Sequence, residues 1–186
     1  MSRETWGLSQ VTARTVIAAV TSIRDAVQDC IIEPLGIMRY RAVATPAFRE
    51  RWMPGTATST QLADAPVVAF DRNDDLQQAF LRNYSGRGAA AAAHFVPTSA
   101  DFARAITLEF GWGLLPEQQC LAPLAEGVLV ELAPGHPVDG PLYWQRWNLA
   151  SPLLKAVSTA VRDEAATSLR PHEEGRPQQK QPAGRR

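Results

Sequence analysis

The chain has 186 residues and a mass of 20.3 kDa, enough to bury a hydrophobic core in one domain or two small lobes. Its 19 basic and 19 acidic residues give a formal net charge of zero, so no global charge indicates a nucleic-acid-binding surface. No window approaches the about 18 uninterrupted apolar residues of a membrane span, and residues 1–10 lack the apolar segment of a secretory signal. We therefore expect a soluble, cytoplasmic protein that does not contact a membrane.

The residue types that carry most metal and nucleophile chemistry are scattered along the chain. Cys30 and Cys120 lie 90 residues apart, without a CxxC motif or a Cys/His cluster. We therefore expect two reduced, mostly buried thiols rather than a disulfide or a metal site. The sequence also lacks the G-x-S-x-G, P-loop and GxGxxG motifs. We expect no catalytic residues, no metal and no cofactor.

The N-terminal third predicts two or three strands and one helix. Val16–Val20 is a short β-branched run, which predicts a buried strand. Residues 30–44 predict one or two strands, with a break near Pro34 and Gly36. A short helix is expected over residues 47–52.

Two strand–helix units follow, and they carry the clearest patterns of the chain. Val67–Phe70 is a buried apolar run, and an amphipathic helix pattern begins soon after it at Leu76. His94–Val96 predicts a short strand. Thr98–Asp101 offers a capping box for a helix whose apolar spacing continues to Phe110.

The C-terminal third predicts three more strands and two helices. The strands are expected at Gly111–Pro116, Val128–Leu132 and Leu142–Trp147. Pro123 shortens or breaks the helix between the first two, and Ser151-Pro152 begins the last helix. The buried stripe of that helix is expected to consist of Leu154, Val157, Val161 and Leu169. Residues 171–186 contain almost no apolar side chains and predict a disordered tail. Strands alternating with helices indicate an α/β protein with largely parallel sheets.

Seven segments, in order along the chain, resemble parts of one known protein family. They are Val16–Ser22, Gly36–Pro46, Ala65–Leu81, Phe95–Phe102, Gly111–Glu117, Gly127–Pro134 and Pro141–Trp147. Arg39–Pro46 is similar to the family's strand that crosses between two lobes, and Leu142-Tyr143-Trp144 is similar to its Leu-Tyr-Trp strand. The family is the LysR-type transcriptional regulators, in the ArgP/LysG branch that responds to lysine or arginine.

The resemblance implies a two-lobed, periplasmic-binding-protein-like effector-binding domain over residues 16–170. Lobe I would combine residues 16–42 with 132–170, lobe II would comprise residues 43–131, and the ligand would bind between them. Regulators of this family begin with a winged helix-turn-helix, and residues 1–15, an irregular N-terminus, show no recognition-helix pattern. We therefore expect an N-terminally truncated chain with an incomplete first lobe.

The resemblance also implies which partners the protein has. A small-molecule effector, lysine or arginine, would bind in the cleft. The chain would form a homodimer, or a heterodimer with an intact regulator, and would reach DNA only through the family's missing N-terminal domain. Two other functions remain open from the sequence, namely a stand-alone amino-acid-binding module and a non-functional truncated remnant.

Polar side chains follow three of the predicted strands, and these are the candidate ligand-binding residues: Thr21, Ser22, Asp71, Thr98 and Ser99. Strand ends in open α/β sheets converge on a ligand-binding crevice. Hydroxyl groups and N–H groups at a helix start suit an α-carboxylate, and Asp71 suits an ammonium group or a basic side chain. Helix capping by Thr98 and Ser99, and turn closure by Thr21 and Ser22, explain the same hydroxyl groups without a ligand.

Overall fold

The computed structural model describes residues 16–25, 28–55, 58–72, 74–86, 88 and 92–172. The strands are β1 Ala18–Thr21, β2 Cys30–Ala44, β3 Val67–Ala69, β4 Ala93–Phe95, β5 Gly113–Pro116, β6 Val130–Glu131 and β7 Val138–Trp147. The helices are α1 Pro46–Trp52, α2 Ser59–Asp64, α3 Leu76–Ser85, α4 Ser99–Thr107, α5 Glu117–Ala125 and α6 Pro152–Ser168. The predicted irregular N-terminus and residues 173–186 of the predicted disordered tail lie outside the described residues.

Two long antiparallel strands, β2 and β7, form the centre of the larger sheet. The strand order is β1-β7-β2-β5, with β6 also paired to β2. The break predicted within β2 is a shift of register between Pro34 and Gly36, after which the strand continues. A Cβ atom at Gly36 would lie 2.7 Å from the carbonyl oxygen of Arg170. Glycine therefore lets the residues after α6 dock on β2, where the Ile37 N–H donates to the Arg170 carbonyl at 2.9 Å.

The prediction of largely parallel sheets is wrong. All pairs of the larger sheet are antiparallel, and parallel pairing in the described part of the chain is limited to β3–β4 and the bridge between Val67 and Trp112. A continuous apolar run indicates a strand that is buried on both faces, as the strands of parallel sheets are. In β2 both faces are buried only over Ala42–Ala44, and this end of the strand is paired antiparallel. Burial therefore explains the apolar pattern without parallel pairing.

The prediction of a buried first strand is also wrong. Within the described residues, β1 pairs with a single neighbour, β7, and forms an edge of the larger sheet. Val20 is 52% exposed, whereas Thr21 at the end of the strand is buried. One neighbour leaves the outer side of a strand open to water, whatever its sequence pattern.

The sequence analysis missed one helix and mistook the N-terminal interactions of another. The sequence analysis missed α2, although Thr58 and Gln61 form a capping box there, with the Gln61 N–H donating to Thr58 Oγ1 at 3.2 Å. The capping box predicted for α4 is absent, because the Thr98 hydroxyl donates to Asp101 Oδ2 at 2.6 Å instead of accepting a backbone N–H. That helix ends at Thr107, and Phe110 lies exposed beyond it.

Helix α6 packs against the larger sheet through a stripe that differs from the predicted one. Its buried residues are Leu154, Ser158 and Ala165, whereas Val157 is exposed. Ser158 Oγ accepts the indole N–H of the buried Trp144 at 2.9 Å, which ties α6 to β7. Ser151 begins the helix as predicted, and its Oγ accepts the Leu154 N–H. No helix in the described ranges is long and apolar enough to cross a membrane.

Trp112 joins β3 to its neighbours in the core. The side chain is fully buried, its Nε1–H donates to the Leu62 carbonyl at 3.1 Å, and its ring meets Phe80 edge-on at a centroid distance of 6.0 Å. The Val68 N–H donates to the Trp112 carbonyl at 2.8 Å. These contacts hold β3 beside the residues that lead into β5, and the cleft described next is lined by β5 and by the residues that directly follow β3.

Candidate functional site

A cleft of about 730 Å³ opens where β3 ends and α3 begins. This is the strand end at which α/β folds bind ligands, and the volume lies in the range of small-molecule sites. The long strands contribute Met38, Tyr40 and Leu142 to the lining, and β5 contributes Leu114 and Leu115. The lining is mostly apolar with a few polar groups, as expected for a site that binds a small organic molecule.

Three of the five predicted site residues line this cleft. They are Ser22, Asp71 and Ser99. Ser22 directly follows β1, Asp71 lies just beyond β3, and Ser99 is the first residue of α4. The structure therefore brings together side chains that are up to 77 residues apart in the sequence, at the strand and helix ends where the sequence analysis expects them.

Thr21 and Thr98 are not among the residues that line the cleft. Thr21 is buried, and its Oγ1 accepts the Ile23 N–H at 3.1 Å. The Thr98 hydroxyl is engaged by the Asp101 carboxylate. Both hydroxyls therefore make the local turn and helix-start interactions that the sequence analysis kept as the alternative to ligand contact.

Three carboxylates, those of Asp71, Asp74 and Asp75, line the cleft, and no lysine, arginine or histidine side chain is found among the described lining residues. Asp74 accepts the Phe70 and Leu76 N–H groups, both at 3.1 Å, and Asp71 Oδ1 accepts the Asp74 N–H at 3.1 Å. Backbone bonds of this kind orient a carboxylate and leave its negative charge in place.

The third carboxylate is matched by a cation outside the cleft. Asp75, which directly precedes α3, forms an ion pair with Arg82 on that helix at 2.6 Å. Both side chains are exposed, and solvent screens such a pair strongly. The cleft is lined by three carboxylates and by no basic side chain among the described residues, so the electrostatics of the site favour a cationic ligand over an anionic one.

Tyr40 lines the same cleft, near enough to Asp74 to be influenced by its charge. Burial raises the pKa of Tyr40, and the negative charge of Asp74 raises it further. The phenol therefore stays protonated at neutral pH and can donate a hydrogen bond into the cleft.

Gln77 is a lining residue that the sequence analysis did not include in the site. It lies in the first turn of α3, its side chain is 2% exposed, and its Oε1 atom has no hydrogen-bond partner among the described residues. The signal in the sequence is its spacing, because Gln77 precedes the buried Phe80 and Leu81 by three and four positions and so shares their face of the helix.

Comparisons with known proteins identify the family. A scan against protein-family models gave no match. LysG of Mycobacterium tuberculosis, described as an HTH-type transcriptional regulator, is 39% identical over 150 residues, which are 81% of this chain and 49% of LysG. The solved C-terminal domains of a LysR family protein from Agrobacterium tumefaciens match with a TM-score of 0.83 at 36% identity, over 92% of this chain and 83% of that chain. The chain belongs to the LysR family. Its fold is that of the regulatory domain of LysR-type regulators.

A further relative has been solved with a small molecule. Full-length LysG from Corynebacterium glutamicum with bound effector Arg has a TM-score of 0.75 and 36% identity, covering 90% of this chain and 58% of that chain. The curated relatives of this regulatory domain are described as transcriptional regulators rather than as enzymes. The chain spans about half the length of the curated relatives it matches.

Proposed function

We propose that this LysR-type regulatory domain senses a basic amino acid, arginine or lysine, bound in the cleft at the end of β3. The observation that carries the proposal is the pair of oriented carboxylates, Asp71 and Asp74, in a cleft whose described lining holds no basic side chain. A cationic ligand gains charge-assisted hydrogen bonds there, whereas an anionic ligand meets like charge. The related LysG structure with bound effector Arg supports the same ligand class.

The proposed orientation places the two charged ends of the amino acid at different elements. The cationic group lies at Asp71, as predicted from the sequence. The α-carboxylate lies at the start of α4, where Ser99 lines the cleft and the N-cap residue Thr98 makes no side-chain hydrogen bond to the helix backbone. The positive end of the helix dipole favours an anion at this place.

The division into two lobes is part of the same proposal. Ser22, Met38 and Gly140 line the cleft from the segments assigned to lobe I, and Asp71 and Ser99 line it from lobe II. A ligand that contacts both sets changes the relative stability of open and closed arrangements of the lobes. In the proposed role, a cytoplasmic dimer transmits this change to the regulator's contacts with DNA.

Isothermal titration with arginine and lysine tests the proposal, with glutamate and leucine as ligands that lack a cationic side chain. We expect binding of the basic amino acids alone. Asp71→Ala should weaken that binding by more than about tenfold, the effect of losing one hydrogen bond to a charged group. Asp163→Ala, which removes an exposed carboxylate from α6 away from the cleft, is the matched control.

Two results would contradict the proposal. If neither arginine nor lysine produces heat with folded wild-type protein, the domain does not sense basic amino acids. If Asp71→Ala binds as tightly as Asp163→Ala, the cationic group does not lie at Asp71.

A further inference from the structure

The side chain of Gln77 holds an unpaired hydrogen-bond acceptor at the cleft. Only 2% of the residue is exposed, it lines the cleft, and Oε1 finds no donor among the described residues. Buried polar groups in proteins are nearly always paired, so an unpaired one needs an explanation. The packing of α3 does not supply it, because leucine or methionine would fill the same position beside Phe80 and Leu81 without an unsatisfied oxygen.

The neighbours of Gln77 indicate which ligand group would satisfy this oxygen. Leu76 precedes Gln77, and its N–H is accepted by Asp74, so the Asp74 carboxylate lies at the same turn of α3. Asp71 is bonded to the backbone of Asp74 and lines the same cleft. A neutral acceptor therefore lies near two carboxylates that line the same cleft.

We propose that Gln77 is a specificity-determining residue of the cleft and that its Oε1 accepts an N–H from the cationic group of the bound basic amino acid. This inference rests on the proposed function and adds a residue to it. An ammonium group has three N–H donors and a guanidinium group has five, and their directions do not all point at the two oxygens of one carboxylate. Gln77 takes one of the remaining donors, in a place where water is excluded.

Selectivity follows from the same geometry. A ligand with an apolar side chain of similar length, such as norleucine, fills the cleft but offers no side-chain donor to Gln77 or to the carboxylates. A site built to receive hydrogen bonds rejects such an analogue strongly, because its own buried polar groups remain unpaired. The Gln77 amide therefore adds to the discrimination between basic and uncharged amino acids.

The test uses the folded protein, isothermal titration with arginine and lysine, and thermal melting without ligand. Gln77→Met and Gln77→Leu remove the acceptor and keep an apolar side chain in its place. Gln77→Glu keeps an acceptor, and Gln78→Met makes the same change one residue on, at a side chain that does not line the cleft. We expect both apolar variants at Gln77 to bind arginine at least about tenfold more weakly, and Gln77→Glu and Gln78→Met to bind within about threefold of wild type.

The melting temperature separates ligand contact from a structural role. Removing an unpaired buried oxygen should leave the ligand-free Gln77→Met protein as stable as wild type or more so. Weaker binding together with a lower melting temperature would assign Gln77 a structural role and overturn the inference. Unchanged binding by Gln77→Met and Gln77→Leu would overturn it while leaving the proposed function intact. Absence of wild-type binding to either basic amino acid would overturn the proposed function itself.

Discussion

Trp112 offers the sharpest test of how the core positions the cleft, through the substitution Trp112→Phe. The side chain is fully buried, and its Nε1–H donates to the Leu62 carbonyl at 3.1 Å. Phenylalanine keeps one aromatic ring against Phe80 but has no N–H group and a smaller volume. The substitution therefore removes a buried hydrogen bond and opens a cavity, and it leaves the backbone bond from Val68 in place.

The two losses at Trp112 can be estimated separately. Leaving the buried Leu62 carbonyl without its indole donor costs about 1–3 kcal/mol of unfolding free energy. Complete truncation of a buried tryptophan costs about 3–5 kcal/mol, and phenylalanine retains most of that packing, so the cavity adds about 1 kcal/mol. We expect Trp112→Phe to lower the unfolding free energy by about 2–4 kcal/mol.

Urea denaturation followed by far-ultraviolet circular dichroism measures this difference independently of indole fluorescence. Trp52→Phe is the matched control, because Trp52 lies on α1 with 40% of its surface exposed. A substitution at such a site changes the unfolding free energy by no more than about 0.5 kcal/mol. If Trp112→Phe lowers the unfolding free energy no more than Trp52→Phe does, the indole and its bond to the Leu62 carbonyl do not stabilise the core as described.

Two further predictions concern titratable groups outside the cleft. Although burial opposes it, hydrogen bonds from Arg170 and Arg41 hold the pKa of Glu117 below its ordinary value of 4.5. The stability that Glu117 contributes is therefore present above that value and is lost as the pH falls through its lowered pKa. The difference in unfolding free energy between wild type and Glu117→Gln should shrink between about pH 6 and pH 3; a constant difference in urea titrations would contradict this. Burial raises the pKa of Cys120 to about 11. Iodoacetamide at about pH 8 should therefore label this thiol only after unfolding. If mass spectrometry shows that Cys120 is labelled equally fast in the native and the unfolded protein, the thiol is not protected by the fold.

Local sequence patterns predicted several of the helices and strands. The apolar run of β3, the apolar spacing of α3 and the Ser151-Pro152 start of α6 are confirmed. Each depends on side chains within a few positions of one another, so the chain itself contains the information. The missed helix α2 has such a signal too, in Thr58 and Gln61, and the sequence analysis overlooked it.

The lining of the candidate cleft was only partly predictable, because local patterns do not show which distant side chains meet. Ser22, Asp71 and Ser99 follow strand ends and reach the cleft, since strand ends converge in this class of fold. The hydroxyls of Thr21 and Thr98 have the same local pattern, yet they bond to nearby groups and do not line the cleft. A spacing of one residue decides which way a side chain points, and the sequence pattern alone does not fix that direction.

The sequence by itself determined most of the helices and strands, the acidic segment at the end of β3 and, through the family resemblance, the regulatory-domain fold. Tertiary structure decided the antiparallel pairing of β2 with β7, where Arg39 meets Asp139 from 100 residues away. It also decided that Gln77 is buried at the cleft with an unpaired oxygen. Pairing and burial depend on which distant segments meet, and the free energy of those contacts is a property of the whole fold rather than of any local stretch of chain.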